Sequence, residues 1–394
     1  MRIITMRTKN SGKNYGGAYR RYMELIEGFL SNTYEVHHIS PKGFSNITHK
    51  NLVHHAIFSP PIKPTLLHYI PQVFIQMVRV GGRHRIDAIV AFSLFDGLLG
   101  VLYARFNRKT KVILCDRGST IDGIMADYQN KAKKLLPLVI RFLECVERLS
   151  YQNADLVIFN SGARRDKITK RISLDQAKVK VIHNNANPTW VTKQQQDTTI
   201  NVDFHQKKVI GFVGNLFASG RDLRTLIMAF KKVKESIGEI ILLLVGQGPD
   251  RETLSLSVKS LGLERDIIFT GWQDNVLPYM RAMDILVVTA LHEGFSNTIL
   301  EALYCKTVVI GAEVGGIPEA LKYDELLFPP KDENALAKRI VDLLSNEEKY
   351  SKTLELVKSR RKEFIFDWQS TMIKTIQSIT SLKNMAGKDK ASDE

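Results

Sequence analysis

The stretch Thr289–Leu303 combines two glutamates with the start of a predicted helix. Ser296 is a residue type that caps helices, and the apolar residues after it predict a helix as far as Tyr304. A helix start offers backbone N–H groups and a favourable dipole to an anion, so these residues suit a phosphate. The candidate phosphate-binding residues are Gly294, Phe295, Ser296, Asn297 and Thr298.

Glu293 directly precedes this candidate phosphate site. Repulsion between like charges argues against a role in phosphate binding, so we predict that Glu293 accepts hydrogen bonds from hydroxyl groups. Glu301, further along the predicted helix, is a candidate acceptor for the hydroxyls of a ribose. Taken singly, either glutamate is better explained by a solvated surface position.

The composition limits the class of protein. With 394 residues, of which 44% are hydrophobic and 25% charged, the chain suits two globular domains. No apolar run reaches the roughly 18 to 20 residues of a transmembrane helix, and the predicted strand Arg2–Met6 lacks the apolar core of a secretory signal. The three cysteines match no metal or disulfide spacing, which predicts a cytoplasmic protein.

The net charge of +15 is unevenly distributed along the chain. Residues 1–190 hold 29 Lys and Arg against 13 Asp and Glu, whereas the remainder holds 27 against 28. This favours a polyanionic partner for the first half, such as membrane phospholipid, a phosphate-bearing acceptor or nucleic acid, although basic residues also serve solubility. Nucleic acid is disfavoured, because the sequence contains no recognition-helix, zinc-finger or RNA-binding signature.

The elements that must position the candidate residues form two series of short apolar strands alternating with amphipathic helices. This predicts two parallel sheets with helices on both faces, whose ligands bind at the carboxyl ends of the strands. The strands of the first series are predicted at Arg2–Met6, Glu35–Ile39, Ala88–Phe92, Val112–Leu114, Leu156–Phe159 and Val179–Ile182. Those of the second series are predicted at Val209–Val213, Ile240–Val245, Ile267–Phe269, Ile285–Val288 and Val308–Ile310.

The polar stretch Asn184–Gln206 separates the two series and is predicted to link two domains. The predicted domains span residues 1–190 and 207–362. Glu363–Ser381 is amphipathic and predicts one or two further helices, and the charged residues 382–394 predict a disordered tail.

The spacing of Glu293 and Glu301 resembles the Glu-x₇-Glu motif of retaining family 4 glycosyltransferases, which have the GT-B fold of two Rossmann-like domains facing a cleft. Four further loops follow the order of that family: Gly211–Leu216, Val245–Pro249, Phe269–Trp272 and Val314–Glu319. The resemblance implies sugar transfer from a nucleotide-diphosphate sugar to a hydroxyl acceptor with retained anomeric configuration. It also implies that the helices of 363–381 pack back on the first domain.

The resemblance assigns the donor mainly to the second domain. Glu293 would hold the donor sugar and Glu301 the ribose. The further donor-binding candidates in the loops are Gly214, Asn215, Gly246, Gly248 and Trp272. Where the family clamps pyrophosphate with an arginine and a lysine, this chain has Asn215 and, after a loop one residue longer, Arg221.

Arg221 is therefore the candidate that neutralises the leaving phosphate, although an arginine at a loop–helix junction can also be structural. The sequence contains no Asp-x-Asp string, in agreement with the metal independence of the family. We expect no cofactor, with the nucleotide sugar as a co-substrate. The ten histidines show no ligand spacing that predicts a metal site.

In the first half, Gly16 and Gly17 resemble the N-terminal glycine loop of the family, which approaches the donor; a flexible turn is the alternative. Asp116 and Arg117 stand where many members have a histidine, and both are candidates for contact with donor or acceptor. Asp116 is also a candidate general base, and the leaving phosphate is the alternative proton acceptor.

Two segments of the first half, Pro60–Arg85 and Lys131–Leu143, mix basic residues with apolar ones. They predict peripheral attachment to the cytoplasmic face of an inner membrane, with buried domain helices as the alternative. The expected acceptor is a lipid-linked or cell-surface glycan precursor, of the lipopolysaccharide, capsule, exopolysaccharide or O-antigen type. Two other functions stay open: a sugar-nucleotide epimerase or phosphorylase of the same fold, and a non-catalytic nucleotide-sugar-binding protein.

Overall fold

The computed structural model describes residues 1–6, 17–41, 47–58, 65–118, 136–188, 191–192, 200, 204 and 207–386. The chain divides into two compact units. Unit 1 comprises Met1–Ile182 and Asp367–Glu394, and unit 2 comprises His183–Phe366. Each unit is built on one parallel sheet with helices, so the predicted architecture of two doubly wound α/β domains is confirmed.

The strands described in unit 1 are β1 (Arg2–Met6), β2 (Glu35–Pro41), β3 (Leu52–Ile57), β4 (Ala88–Ala91), β5 (Lys111–Asp116), β6 (Leu156–Phe159) and β7 (Val179–Val181). They pair in parallel in the order β3-β2-β1-β4-β5-β6-β7. The helices that connect them are α1 (Gly17–Ser31), α2 (Thr65–Arg83), α3 (Leu94–Phe106), α4 (Leu136–Asn153) and α5 (Gly162–Thr169).

Buried apolar runs and capping residues explain why unit 1 forms these elements. β4 and β6 are buried at every position, as expected of strands that helices cover on both faces. Ser93 accepts a hydrogen bond from the N–H of Asp96, and Ser161 accepts one from the N–H of Arg164. These caps begin α3 and α5 directly after β4 and β6, at the carboxyl edge of the sheet.

The strands described in unit 2 are β8 (Lys208–Val213), β9 (Ile240–Val245), β10 (Ile267–Gly271), β11 (Ile285–Val288), β12 (Val308–Ala312) and β13 (Leu327–Phe328). They pair in parallel in the order β10-β9-β8-β11-β12-β13. The helices of this unit are α6 (Ala218–Arg221), α7 (Leu223–Ile237), α8 (Arg251–Ser260), α9 (Leu277–Arg281), α10 (Asn297–Cys305), α11 (Ile317–Leu321), α12 (Glu333–Leu344) and α13 (Glu347–Glu363).

Successive strand residues of unit 2 belong to two different apolar clusters. Ile210 packs with α7 and α12 in one cluster, whereas its neighbour Val209 belongs with α10 and α11 to the other. Since side chains alternate across a strand, the two clusters lie on opposite faces of the sheet. The sheet is therefore buried on both sides, and its polar candidate residues lie in the loops and helices that follow the strands.

A last helix, α14 (Trp368–Ala386), returns the chain to unit 1 and packs against α1. Trp368 at its start is fully buried, and Gln369 donates a hydrogen bond to the backbone carbonyl of Glu24. On another part of unit 1, α3 packs against both α2 and α4. Among the described residues, none of the helices is long and apolar enough to span a bilayer.

The observed boundaries differ from the predicted ones. The chain enters unit 2 at His183 rather than after residue 190, because Asn184, Asn185 and Ala186 are buried in that unit. The return occurs at Asp367 rather than 363, since α13 belongs to unit 2 and only α14 packs back. α14 continues through residues 382–386, which were predicted to be disordered, and 387–394 lie outside the described residues.

Candidate functional site

The strand order of unit 2 has a topological switch point at the carboxyl ends of β8 and β11. β8 lies between β9 and β11, so the connections that leave β8 and β11 diverge at their carboxyl ends. Ligands of doubly wound sheets bind at such switch points. The loops that follow β8 and β11 carry Asn215, Arg221 and Glu293, which places the predicted donor residues at this edge.

The loops at this edge are tied to one another through backbone groups. The N–H of Gly214 donates to the carbonyl of Val245 at 3.0 Å, and the N–H of Gly246 donates to that of Gly271 at 2.9 Å. Gly246 has a φ of +142°, and a Cβ there would lie 1.9 Å from the Gly214 oxygen. Only glycine allows this approach, so the loops after β8, β9 and β10 form one connected rim.

The next loops are joined in the same way. The N–H of Gly316 donates to the carbonyl of Glu293 at 3.2 Å, and that of Leu291 donates to Gly220 at 3.1 Å. Gly315 has a φ of +53°, and a Cβ there would lie 1.9 Å from the Glu293 oxygen. The backbone of Glu293 is thus fixed between the loops that follow β8 and β12.

Arg221 and Glu293 form the central charged pair of this edge. Arg221 Nη1 donates to Glu293 Oε2 at 2.7 Å, and the hydroxyl of Thr289 donates to the backbone carbonyl of Arg221. The Arg221 side chain is 37% exposed and that of Glu293 is 17% exposed. The structure therefore brings two predicted site residues together across 72 positions of sequence, with both side chains still in reach of solvent.

The start of α10 has the predicted geometry. Ser296 is the N-cap, and its hydroxyl accepts a hydrogen bond from the N–H of Ile299 at 3.4 Å. The amides of Asn297 and Thr298 belong to the first turn, so they have no acceptor within the helix. This helix start follows Glu293 in the same loop, and a helix start is a type of site that suits an anion.

Phe295 contributes its backbone rather than its ring to this edge. Its side chain is buried, stacked on His183 with ring centroids 4.7 Å apart and packed edge-on against Phe364. His183 Nε2 lies 2.5 Å from a carboxylate oxygen of Glu319, and Asn184 donates to the side-chain oxygen of Asn297 at 2.8 Å. The loop before α10 is therefore held in place by contacts with His183 and Asn184.

The supporting residues His183 and Asn184 were not predicted. They lie at the edge of the polar stretch that was assigned to a linker, and no apolar period marks them. The available signal is the position of the run His183–Asn187 directly after β7, the last strand of unit 1.

The other donor candidates occupy the same rim. Asn215 is exposed, and its side-chain oxygen lies beside Gly248. Trp272, after β10, is half exposed and donates from its indole to Asp274 at 3.0 Å. Gly294 is half-buried, whereas Glu301 lies within α10 and is 7% exposed.

In unit 1, Arg117 lies at the carboxyl end of β5 in a pocket of aromatic rings. Its guanidinium carbon is 4.9 Å from the ring centroid of Trp368 and 5.6 Å from that of Phe92. Burial lowers the pKa of Arg117. Gly17 begins α1, and Gly16 lies outside the described residues.

The structure argues against Asp116 as a general base, because its carboxylate is buried in a network of hydrogen bonds. Its carboxylate accepts hydrogen bonds from Arg164 Nε at 3.0 Å, from the Gly118 N–H at 2.9 Å and from the hydroxyl of Tyr151. Arg164 also pairs with the buried Glu147 at 3.5 Å. These partners occupy the lone pairs of the carboxylate oxygens.

The network also shifts the neighbouring groups. Burial raises the pKa of the Tyr151 hydroxyl well above its usual range, and the charge of Asp116 adds to that shift. Burial likewise raises the pKa of Glu147, opposed by the charges of Arg171 and Arg164. These residues surround Asp116 and so hold the loop that carries Arg117. The sequence did not predict that Tyr151, Glu147 and Arg164 belong to this network.

Two family models match the chain. Residues 15–189 match glycosyltransferase family 4, and residues 207–346 match the glycosyl transferases group 1. The chain is a group 1 glycosyltransferase. The first match begins in unit 1 and extends to residue 189 in unit 2, whereas the second lies within unit 2 and contains Arg221, Glu293 and Glu301.

Similar glycosyltransferases occur among curated proteins. An N-acetylgalactosaminyltransferase of Campylobacter jejuni, named for a diphospho-undecaprenol acceptor, is 24% identical over 355 residues, which are 89% of this chain and 92% of that protein. N-acetyl-α-D-glucosaminyl L-malate synthase of Bacillus anthracis is 32% identical over 144 residues. That match spans 36% of this chain and only 37% of the synthase.

Solved structures show the same fold. HepE of Anabaena, in complex with UDP, superposes with a TM-score of 0.73 at 19% identity and covers 96% of this chain and 100% of its own. WaaG, a glycosyltransferase of lipopolysaccharide biosynthesis, superposes with a TM-score of 0.72 at 16% identity, over 96% of this chain and 99% of its own. This glycosyltransferase therefore has the predicted GT-B fold.

The buried network makes a first prediction. Replacing Arg164 by Leu leaves Asp116 and Glu147 buried without their shared cation, so we expect the free energy of unfolding to fall by about 3–5 kcal/mol. Urea unfolding followed by circular dichroism measures this. Arg165→Leu is the matched control, since the neighbouring Arg165 is 41% exposed and should cost less than about 1 kcal/mol. Equal losses in both variants would contradict a structural role for the network.

Proposed function

We propose that this glycosyltransferase transfers a sugar from a nucleoside-diphosphate sugar to a hydroxyl acceptor, with retained anomeric configuration and without a metal ion. The observation that carries the proposal is the partly exposed pair of Arg221, at the end of α6, and Glu293, in the loop that leads into α10. Arg221 supplies a cation for the pyrophosphate, and the start of α10 supplies N–H donors for it. Glu293 supplies an acceptor for the hydroxyls of the sugar.

In this proposal the pyrophosphate lies at the start of α10, where the amides of Asn297 and Thr298 donate to it. Arg221 turns part of its guanidinium from Glu293 to the phosphate, because its five N–H donors serve two anions at once. Glu293 then accepts hydrogen bonds from the sugar hydroxyls. Glu301 and the rim around Trp272 are assigned to the ribose and the base.

The proposed reaction breaks the bond between the anomeric carbon and the phosphate oxygen, whose electron pair stays on the phosphate. Arg221 and the α10 start neutralise the charge that develops there. The acceptor oxygen forms its bond to the anomeric carbon from the side that the phosphate leaves, and its proton passes to the leaving phosphate oxygen. This route retains the anomeric configuration and does not use the hydrogen-bonded Asp116 as a base.

We propose a reaction without a metal ion because other groups of the site can supply the positive charge. No Asp-x-Asp string occurs in the sequence to hold Mg²⁺ or Mn²⁺ beside the pyrophosphate. The cation of Arg221 and the helix dipole supply positive charge at that position instead. The same residues also suit the two alternatives, a sugar-nucleotide epimerase or phosphorylase and a non-catalytic binder, so products must be measured.

The central test replaces Glu293 by Ala. A thermal-shift screen over UDP-, GDP- and ADP-sugars first identifies the donor from the rise in Tm. We expect the variant to lose transfer by at least about a hundredfold, because contacts that hold the reacting sugar act in the transition state. Binding of the bare nucleoside diphosphate should remain, since Glu293 does not contact it in the proposal.

Glu264→Ala is the matched control for this test. Glu264 is exposed in the turn before β10, at the end of the strand remote from the loops of the site. Wild-type protein and control should release nucleoside diphosphate together with a glycosylated acceptor. Epimerised donor without transfer, or full transfer by the Glu293 variant, would refute the proposal.

We further propose that the acceptor is carried on a lipid and that unit 1 attaches to an anionic membrane surface from the cytoplasmic side. The names of similar proteins support this, since the Campylobacter jejuni relative is named for diphospho-undecaprenol and a Rhizobium meliloti relative for the lipopolysaccharide core. The latter is 26% identical over 209 residues.

The surface of unit 1 supports the same idea. The adjoining helices α2, α3 and α4 expose large apolar side chains, among them Ile75, Val78, Phe106, Leu138 and Phe142. Arginines lie on the same helices or next to them: Arg79, Arg83, Arg85, Arg105, Arg108, Arg141 and Arg148. Apolar side chains that enter the interface, with arginines at the lipid phosphates, are typical of a peripheral membrane site. Residues 60–64 and 131–135, which begin the two segments that predict membrane attachment, lie outside the described residues.

The membrane proposal predicts the behaviour of the double variant Phe106→Ser, Phe142→Ser. These side chains are 81% and 59% exposed, so their loss should spare the fold but lower partition onto phosphatidylglycerol-containing vesicles by at least about tenfold. Leu256→Ser, at a 65% exposed apolar residue on α8 of unit 2, should bind vesicles like the wild type. Added salt should weaken binding to the wild type. Undiminished binding of the double variant would contradict this surface.

A further inference from the structure

Three histidines and a glutamate meet at the amino-terminal end of β2. Glu35 and His37 lie on one face of β2, His55 lies on the neighbouring β3, and His84 follows the end of α2. One ligand atom each from Glu35, His37 and His84 lies within 4.8 Å of the other two. His37 is 2% exposed at its side chain, so this group of imidazoles surrounds a largely buried ring.

We propose that Glu35, His37 and His84 bind a divalent transition-metal ion, with Zn²⁺ as the ion that best suits them. Two imidazoles and one carboxylate, with a water as the fourth ligand, are a common zinc ligand set. Mg²⁺ and Ca²⁺ prefer oxygen ligands alone, so the two histidines select against them.

The distance between Glu35 and His37 fits a metal with little movement of these two side chains. His37 Nε2 lies 3.0 Å from Glu35 Oε1, and the ring centroids of His37 and His84 are 5.0 Å apart. Two nitrogen and oxygen ligands of a tetrahedral zinc are about 3.4 Å apart, given bonds of about 2.0–2.2 Å. The carboxylate and the imidazole therefore need to separate by only a few tenths of an ångström to admit the ion.

A second layer of contacts orients two of the ligands. His37 Nδ1 lies 3.0 Å from His55 Nε2, so His55 can accept the Nδ1–H of His37 and leave Nε2 for the metal. Metal-binding histidines are usually held by such a partner on the other ring nitrogen. Arg2 Nε donates to Glu35 Oε2 at 2.6 Å, which directs the other oxygen of Glu35 towards His37.

The position of this site points to a structural role. Glu35 is the first residue of β2, whereas Asp116 and Arg117 lie at the opposite, carboxyl edge of the same parallel sheet. A metal at the amino edge would connect the end of α2 to β2. The proposal is therefore independent of the proposed reaction, and it concerns the stability of unit 1.

The test uses the full-length chain without a histidine tag, freed of metal with EDTA and dialysed. Titration with ZnCl₂ against a chromophoric chelator should show one high-affinity site per chain. The Tm of unit 1 should rise by roughly 5 °C at Zn²⁺ concentrations about a hundredfold above Kd. MgCl₂ at the same concentrations should leave the Tm unchanged. Absence of saturable Zn²⁺ binding would overturn the proposal.

Variants of His84 locate the site, because His84 is half-buried at the end of a helix and its loss should spare the fold. H84Q should lose Zn²⁺ binding by at least about tenfold and lose the rise in Tm. H49A is the matched control, since the exposed His49 precedes β3 outside the cluster, and it should bind Zn²⁺ like the wild type. Equal binding by H84Q and the wild type would overturn the assignment.

Cobalt gives a direct readout of the ligand at this position. With Co²⁺ in place of Zn²⁺, H84C should show a thiolate-to-cobalt charge-transfer band that the wild type lacks. That band would identify residue 84 as a ligand whatever the effect of the substitution on stability. Co²⁺ binding to H84C without the band would mean that residue 84 does not reach the metal.

Discussion

The candidate site of unit 2 depends on how closely its loops can approach one another. At Gly246 and Gly315 the backbone passes within van der Waals contact of a carbonyl oxygen from another loop, and a Cβ at either position would lie 1.9 Å from that oxygen. Glycine is the one residue that accepts both the approach and the positive φ. The loops after β8, β9, β11 and β12 therefore converge on one place, and that convergence puts Arg221, Glu293 and the start of α10 together.

The two units use charge in different ways. In unit 1, Asp116 and Arg164 are almost completely buried and surrounded by Tyr151 and Glu147, so the ion pair is a fixed support. In unit 2, Arg221 and Glu293 are both partly exposed. A buried pair is costly to break, whereas a partly exposed pair can exchange one partner for a ligand. This difference is the physical reason to assign the chemistry to Arg221 and Glu293 and a supporting role to Asp116.

The parallel sheet of unit 1 places two groups of residues at opposite edges. The carboxyl ends of its strands carry Arg117, packed between Trp368 of the returning helix and Phe92. The amino end of β2 carries the histidine cluster around His37. Because all strands of the sheet run in parallel, the two groups lie at opposite edges, and the proposed metal site does not overlap the edge that carries Arg117.

The sequence by itself determined the alternation of buried strands and helices, the parallel sheets, the loop positions of Glu293 and Gly294, and the helical position of Glu301. These follow from apolar periodicity and from local signals such as the cap Ser296, which act over a few residues. Two edge strands, β3 and β13, were not predicted, because two histidines interrupt the apolar pattern of β3 and β13 is two residues long.

Only the tertiary structure decided which distant groups meet. The partner of Asp116 lies 48 positions away on Arg164, and His84 reaches His37 because α2 ends beside β2. The polar residues Asn184 and Asn185 are buried in unit 2 although their composition is that of a linker. Long-range packing fixes such contacts through the pairing of strands and the direction of helices, and neither leaves a mark in the spacing of residues along the chain.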